Sequence, residues 1–202
     1  MAPAFEFKPG EGAAFGTKRF HVRTLRPSDV DDVYLSWWND AEIQAGFNQR
    51  ARRWDLRRAV QHVKTFDNRA SFHFGIFSKD TGRKVGFYTI HTTSEKVAAT
   101  TVCIGDRALW GTDAVFEVKV MALDFIFNVL EMEKAETRVY GRNYASIFNS
   151  KAMGYTAEAV LRQHARSPIG TFVDIYIFGL LKDEWEAFKR DKRDAIGIRA
   201  GA

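Results

Sequence analysis

Residues 97–130 read VAATTVCIGDRALWGTDAVFEVKVMALDFIFNVL, and two periodicities meet in them. The first nine residues are uncharged and rich in β-branched side chains, which favours a strand, whereas apolar residues recur at helical spacing from Ala114 onward. Val118, Met121, Ala122, Phe125, Ile126 and Val129 share one stripe, so the pattern predicts a long helix over 114–130. Between strand and helix lies Trp110-Gly111. Exposed N–H groups and the dipole of a helix start make that turn a candidate anion site, although a lone glycine there is more often just a turn residue.

Working upstream, SFHFGIFS (71–78) and KVGFYTIHTT (84–93), joined by the turn KDTGR, complete an antiparallel meander with 97–105. FHVRTL from Phe20 reads as a further strand, and in RPSDVDDVYLSWW the pattern makes Ser28 a helix cap with Asp31 three residues later. A second helix is predicted from about Trp54 to Phe66, with Leu56, Val60 and Val63 on its apolar face. The intervening residues 39–52 read as a loop or broken helix. Downstream come a strand at 135–141, a short helix at 144–153, and two strands, 158–165 and 171–181, separated by the turn Ser167-Pro168-Ile169-Gly170. Strands grouped on both sides of a central helix indicate an α+β fold with a mixed, largely antiparallel sheet flanked by helices. Residues 1–19 read as an irregular N-terminal arm, 20–190 as a single domain and 191–202 as a C-terminal tail.

The chain's 202 residues suffice for one sizeable core, and 46% apolar against 27% charged residues is the composition of a folded protein. Cys103 is the single cysteine, which excludes an internal disulfide. Its apolar neighbours mark it as a buried strand residue rather than a nucleophile, and a reducing cytoplasm is the expected compartment. The first 20 residues hold no basic segment followed by a long apolar one, so neither a signal peptide nor a membrane span is expected. Net charge is +5, but Lys and Arg are interleaved with acids, as in KRDKRD at 189–194, the pattern of a solvated face. Nucleic acid is therefore not an expected partner, while a phosphorylated small molecule stays compatible. His21, His62, His73, His91 and His164 are scattered without metal-ligand spacing, so no metal is assigned.

Several local strings occur in one order: Leu25-Arg26-Pro27, Trp38-Asn39-Asp40, Ile104-Gly105 with Trp110-Gly111 and Glu117, and the run from Asn143 through Ser146 and Ser150 to Gly154-Tyr155. Leu161-Arg162, Gly170, Asp174, Leu180-Leu181 and Glu184-Trp185 follow. From Leu25 to Trp185 the chain thus resembles the GNAT superfamily of N-acetyltransferases, in the branch of ribosomal-protein N-terminal and nucleotide-aminosugar acetyltransferases. The resemblance implies acetyl transfer from acetyl-CoA to a primary amine, with no metal. Such a reaction needs an anchored pyrophosphate, a polarised carbonyl, a deprotonated amine and a stabilised thiolate. On the family's pattern, backbone groups of Val102, Cys103 and Ile104 hold the pantetheine arm and acyl carbonyl. Trp110, Gly111, Thr112, Asp113, Ala114 and Val115 hold the pyrophosphate, and Asn143 contacts the arm.

The family's loop pattern, Q/R-x-x-G-x-G/A, is met here by Ala108, Gly111 and Asp113, so the first and last slots differ. A carboxylate at 113 either opposes the pyrophosphate or turns away to cap the helix through the N–H groups of Val115 or Phe116. If it opposes, a GNAT-fold binding module, or an acyltransferase with another donor, is the rival reading. Ser146 matches the general acid of the ribosomal-protein branch, Ser150 the position of a tyrosine in other members, and His164 adjoins the position of the base. The acceptor is expected to be a small-molecule amine or a peptide, handled by a monomer or homodimer. A nucleotide-linked aminosugar is placed ahead of a protein N-terminus because Trp38 and Asn39 resemble that branch's opening and Arg52 and Arg53 supply phosphate-binding charge.

Overall fold

In the computed structural model, which describes residues 5–50 and 53–192, nine strands form one sheet. They are β1 (Glu6–Lys8), β2 (Gly12–Gly16), β3 (Phe20–Thr24), β4 (Ser71–Ser78), β5 (Lys84–Thr92), β6 (Val97–Ile104), β7 (Lys134–Tyr140), β8 (Thr156–Arg166) and β9 (Phe172–Leu181). Their spatial order is β1-β2-β3-β4-β5-β6-β7-β9-β8. All neighbours are antiparallel except β6 and β7. The helices are α1 (Asp32–Asn39), α2 (Ala41–Gly46), α3 (Leu56–Lys64), α4 (Ala114–Asp124), α5 (Tyr144–Ala152) and α6 (Lys182–Asp191). The expected α+β architecture and its central meander are both present.

Helices cover both faces of the sheet, which is why β5 is buried at seven successive positions, Lys84–Ile90, rather than alternating. Tyr88 points into the layer that holds α4, among Phe72, Phe74 and Leu123. Its neighbour Phe87 points the other way, into a layer with Tyr34 and Trp37 of α1 and Ala59 and Val63 of α3.

The details differ from the sequence reading at several points. Ser28 lies in a single 3-10 turn, and Asp31 caps α1 by accepting from the Tyr34 N–H at 2.9 Å. Leu56 is 54% exposed because it is the first residue of α3, which Asp55 caps, and the buried face of the helix carries Ala59 and Val63. The segment around residues 41–46 is a true short helix, capped by Asp40. After α4 the chain continues through a π-helical turn at Phe125–Val129. The expected irregular arm is instead structured over β1 and β2, whose Phe7 and Phe15 rings pack on Phe125. Periodicity was too short there to register. The charged C-terminal run hides α6, which Trp185 anchors by complete burial and a 2.9 Å bond to Asp124. Residues 193–202 of the expected tail lie outside the described residues.

The parallel pair opens the site. β6 and β7 pair only at Val97–Ala99 with Lys134–Glu136. Two threonine hydroxyls bridge the next step, Thr100 to the Glu136 carbonyl and Thr137 to the Thr100 carbonyl, each at 3.2 Å. Beyond them β7 keeps its pairing with β9, β6 keeps its pairing with β5, and the two strands diverge.

Candidate active site

Since the Thr100 carbonyl faces β7, strand alternation turns the backbone groups of Val102 and Ile104 to the same side, where no strand now accompanies them. Next to this bare edge lies a cavity of about 950 Å³, closed by the first turns of α4, by α5 and by α2. Val102, Cys103 and Ile104 line it. One of its acceptors is used internally: the Trp110 indole donates to the Ile104 carbonyl at 2.7 Å. Burial pushes the Cys103 thiol up to about 12, which makes it inert and leaves its backbone as the useful part. Gly105, just beyond, admits Trp37, whose indole would lie 2.1 Å from any added Cβ.

The far end of the cavity is the turn into α4, where Trp110, Gly111, Thr112, Asp113 and Val115 all contribute. Gly111 has φ +73° with open space where a side chain would stand. The Ala114 N–H bonds the Thr112 hydroxyl at 3.3 Å. Those of Val115 and Phe116 have no partner among the described residues, so two helix-start donors face the cavity. Ala114 is fully buried in the core and does not line it. Asp113 neither caps α4 nor projects at the cavity as a free charge, since its carboxylate pairs with the Arg19 guanidinium. Arg19 is held in turn by Glu117 at 2.6 Å.

On α5 the two candidate serines separate. Ser146 is half-buried on the cavity wall, and no protein group bonds its hydroxyl among the described residues. Ser150 is fully buried and donates to the Ser146 carbonyl at 2.9 Å, a back-bond within the helix that removes it from the cavity. Asn143 lines the cavity, but its amide is committed: the oxygen caps α5 through the Ser146 N–H at 3.1 Å and the nitrogen donates to the Gly46 carbonyl at 3.2 Å. It fixes the distance between α5 and α2.

The remaining predicted site residues are not brought here. His164 is exposed on β8 within a bulge, where the register with β9 shifts between Leu161 and Ala165 and Gln163 takes φ +50°. It does not reach the cavity. Trp38 is stacked on Trp54 at 4.2 Å and on Phe87 at 5.6 Å, so both its faces are used. Asn39 clasps Trp54 with both amide atoms, at 2.8 and 3.3 Å. Both are structural. Arg53 is exposed away from the cavity lining, and Arg52 lies outside the described residues.

Three contributors were missed by sequence reasoning. Tyr144 and Phe148, four apart on α5, are 77% and 66% exposed at the cavity wall. Lys119 is the third. It is only 4% exposed, it lines the cavity one turn beyond Val115, and burial brings its ammonium down to about 8. A lone lysine flanked by Val118 and Val120, at helical spacing from Val115 and Ala122, was the available signal. No three His, Cys, Asp or Glu residues converge in metal-holding geometry among the described residues, nor is any described helix long and apolar enough to cross a membrane.

Residues 19–156 match the family model of the acetyltransferase (GNAT) domain. An uncharacterized N-acetyltransferase p20 from Bacillus licheniformis is 24% identical over 177 residues, covering 84% of this chain and 96% of that protein. Among solved structures, the ribosomal-protein-S5-alanine acetyltransferase of Vibrio fischeri superposes with a TM-score of 0.74 at 15% identity, covering 85% of this chain and 98% of its own. Spermidine N-acetyltransferase of Vibrio cholerae, in complex with CoA and spermine, gives 0.75 at 15% identity, covering 83% and 98%.

Proposed function

Because this chain belongs to the GNAT acetyltransferase family, we propose that its cavity binds acetyl-CoA and that the acetyl group passes to the primary amine of a small anionic acceptor. The observation that carries the first part is the pairing of a strand edge that no neighbouring strand covers at Val102 and Ile104, where the Trp110 indole takes the Ile104 carbonyl, with two helix-start donors at Val115 and Phe116 that have no partner among the described residues. The N–H groups hold the pyrophosphate, and the strand edge holds the amide-bearing arm as an added strand would be held. The commitment of Asp113 to Arg19 supports retained binding, since the carboxylate reaches the anion site already neutralised. Ser146 offers a hydroxyl near the reacting thioester. Among the described residues the cavity wall carries no imidazole, and its two carboxylates, Glu42 and Asp113, are paired with arginines, so the amine loses its proton to water.

For the acceptor, Trp38 and Asn39 no longer provide support. What favours an anionic molecule such as a nucleotide-linked aminosugar over a protein N-terminus is a second set of arginines just beyond the Gly46–Asn143 bond. Arg142 donates to Asn48 at 2.8 Å and keeps a buried Nε without partner among the described residues, Asn48 in turn donates to the Arg166 carbonyl at 3.0 Å, and Arg50 donates to the Pro168 carbonyl at 2.9 Å. The Arg142 and Arg50 guanidiniums both tie to or belong to the 48–50 stretch, and guanidinium groups suit phosphate oxygens.

The test is calorimetry with acetyl-CoA, followed by an acceptor screen of UDP- and dTDP-linked aminosugars against short peptides with free N-termini. Gly111→Val is expected to weaken acetyl-CoA at least about tenfold, because a branched side chain at positive φ fills the space the phosphate needs. Arg142→Met is expected to lower turnover of the sugar nucleotides and not of peptides. Unchanged affinity in the first variant removes the pyrophosphate from this turn, and turnover confined to peptides removes the anionic acceptor.

A further inference from the structure

Three formally charged side chains line the cavity, and only one has no counter-charge. Glu42 pairs with Arg107 and Asp113 pairs with Arg19. Lys119 has no carboxylate within salt-bridge distance among the described residues. Its ammonium lies 5.2 Å over the ring of Tyr155, whose buried hydroxyl, like that of Tyr88 nearby, also has no hydrogen-bond partner among the described residues. Burial raises both phenols, so neither supplies an anion. A buried, unpaired ammonium costs several kcal/mol, and a leucine or methionine on the same stripe would cost nothing of the kind.

Lys119 stands one turn past Val115 with its ammonium over the ring of Tyr155, whose phenol neighbours Thr100, so it lies beyond the helix-start donors on the side where β6 and β7 close. With the pyrophosphate at Val115 and Phe116 and the arm along β6, the thioester end of the donor is the part that reaches this depth. Negative charge appears there only during the reaction.

We propose that Lys119 is the cation that stabilises the departing coenzyme A sulfur and then protonates it. The inference rests on acetyl-CoA occupying the cavity. In the step, the neutral amine forms a C–N bond to the thioester carbonyl carbon, the C–S bond breaks, and its electron pair leaves on sulfur. The surplus proton on nitrogen goes to water, the sulfur takes a proton from the Lys119 ammonium, and the lysine is reprotonated from water. Products are the amide and the free thiol. Burial lets this ammonium hold its proton at neutral pH and release it more readily than an exposed lysine does. Ser146 on the opposite wall offers a hydroxyl without charge, which can relay a proton but cannot supply the electrostatic part.

Two measurements test this on the full chain. In the unaltered protein, the thiol of bound CoA, followed by thiolate absorbance against pH, is expected to ionise at least about one unit below its usual value near 8.5. In Lys119→Met, that shift is expected to vanish and kcat to fall about 30- to 100-fold, with KM for acetyl-CoA within about threefold, the mark of an interaction made in the transition state. A bound thiol that titrates as in free solution, or a kcat within threefold of the parent, overturns the role of Lys119 while leaving acetyl-CoA binding and transfer intact. A parent protein that neither binds CoA nor transfers acetyl overturns the donor assignment, and this inference with it.

Discussion

His73 and Lys119 are both basic, both almost wholly buried and both without a hydrogen-bonding or ionic partner among the described residues, yet the protein treats them in opposite ways. His73 lies on β4 among Tyr34, Phe66 and Phe87, 1% exposed, with neither ring nitrogen bonded. Burial, and then the neighbouring His62 and His91, drive it down to about 3. It is a neutral aromatic ring. Lys119 borders a cavity, and burial brings it only to about 8, so it stays charged at neutral pH. The difference is access: where water and ligand cannot reach, burial discharges the base, and beside a cavity a base keeps a charge that a ligand can use.

The sharpest way to break this comparison is to exchange the chemistry. His73→Lys puts an ammonium where no cavity relieves it and is expected to cost about 3–5 kcal/mol, enough to lower the melting temperature by roughly 10 °C or to prevent folding. Lys119→Met is expected to go the other way, raising unliganded stability by on the order of 2 kcal/mol in urea titration at pH 7, because it deletes an unpaired buried charge. A Lys119→Met protein less stable than its parent means the ammonium has a structural partner, and the comparison fails.

The two residues also differ in how much the sequence says about them. Strands β4, β5 and β6 were legible because alternation and turn chemistry are local, and the order of GNAT-like strings carried the placement of Val102, Ile104, Gly111 and Ser146. The roles of Trp38, Asn39 and Ser150 were not legible, because a string match places a residue along the chain and says nothing of which face it turns. Trp38 is consumed by stacking and Ser150 by a helix back-bond, both outcomes of tertiary packing. His164 differs for another reason: it lies in a bulge of β8, an irregularity that adjacency to a family position does not reveal. Asp113 sits at the cap position by sequence, but its charge is claimed by Arg19, 94 residues away.

A smaller effect comes from pH. His73 has an ordinary unfolded pKa near 6.5 and a folded value of about 3, so the unfolded chain binds the proton first and stability falls as pH drops through 6.5. Between pH 7.5 and 5.5 this one group should remove about 1.4 kcal/mol. Lys119, lowered from 10.5 to about 8, loses its stabilising neutral form as pH falls between those values and contributes nothing further below them, so the two residues titrate in separate windows. Urea unfolding of the parent and of His73→Leu across that range is the measurement. Equal slopes would show that His73 is not the neutral ring described here; His62, also lowered by burial, would then be the group to replace next.

The smallest expected effect concerns the other end of the cavity, where a charge is covered rather than bare. The Asp113 side chain is 78% exposed, so its pair with Arg19 contributes little to stability, within about 0.5 kcal/mol on removal. Its influence on an anion bound at Val115 and Phe116 is expected to show in affinity. In Asp113→Asn the carboxylate is gone while Glu117 still holds Arg19 in place, so CoA is expected to bind about two- to threefold more tightly at low salt, a gain that fades toward 0.5 M salt at about the rate set by screening. Arg19→Gln does the reverse, uncovering both Asp113 and Glu117 beside the pyrophosphate, and is expected to weaken CoA by a somewhat larger factor. In the Asp113→Asn background the same arginine change should then matter less, since one of the two uncovered charges no longer exists. Calorimetric titrations of the four proteins at two salt concentrations close that cycle. Looser binding in Asp113→Asn would mean the carboxylate assists the site, by holding Arg19 toward the phosphate, rather than being shielded from it.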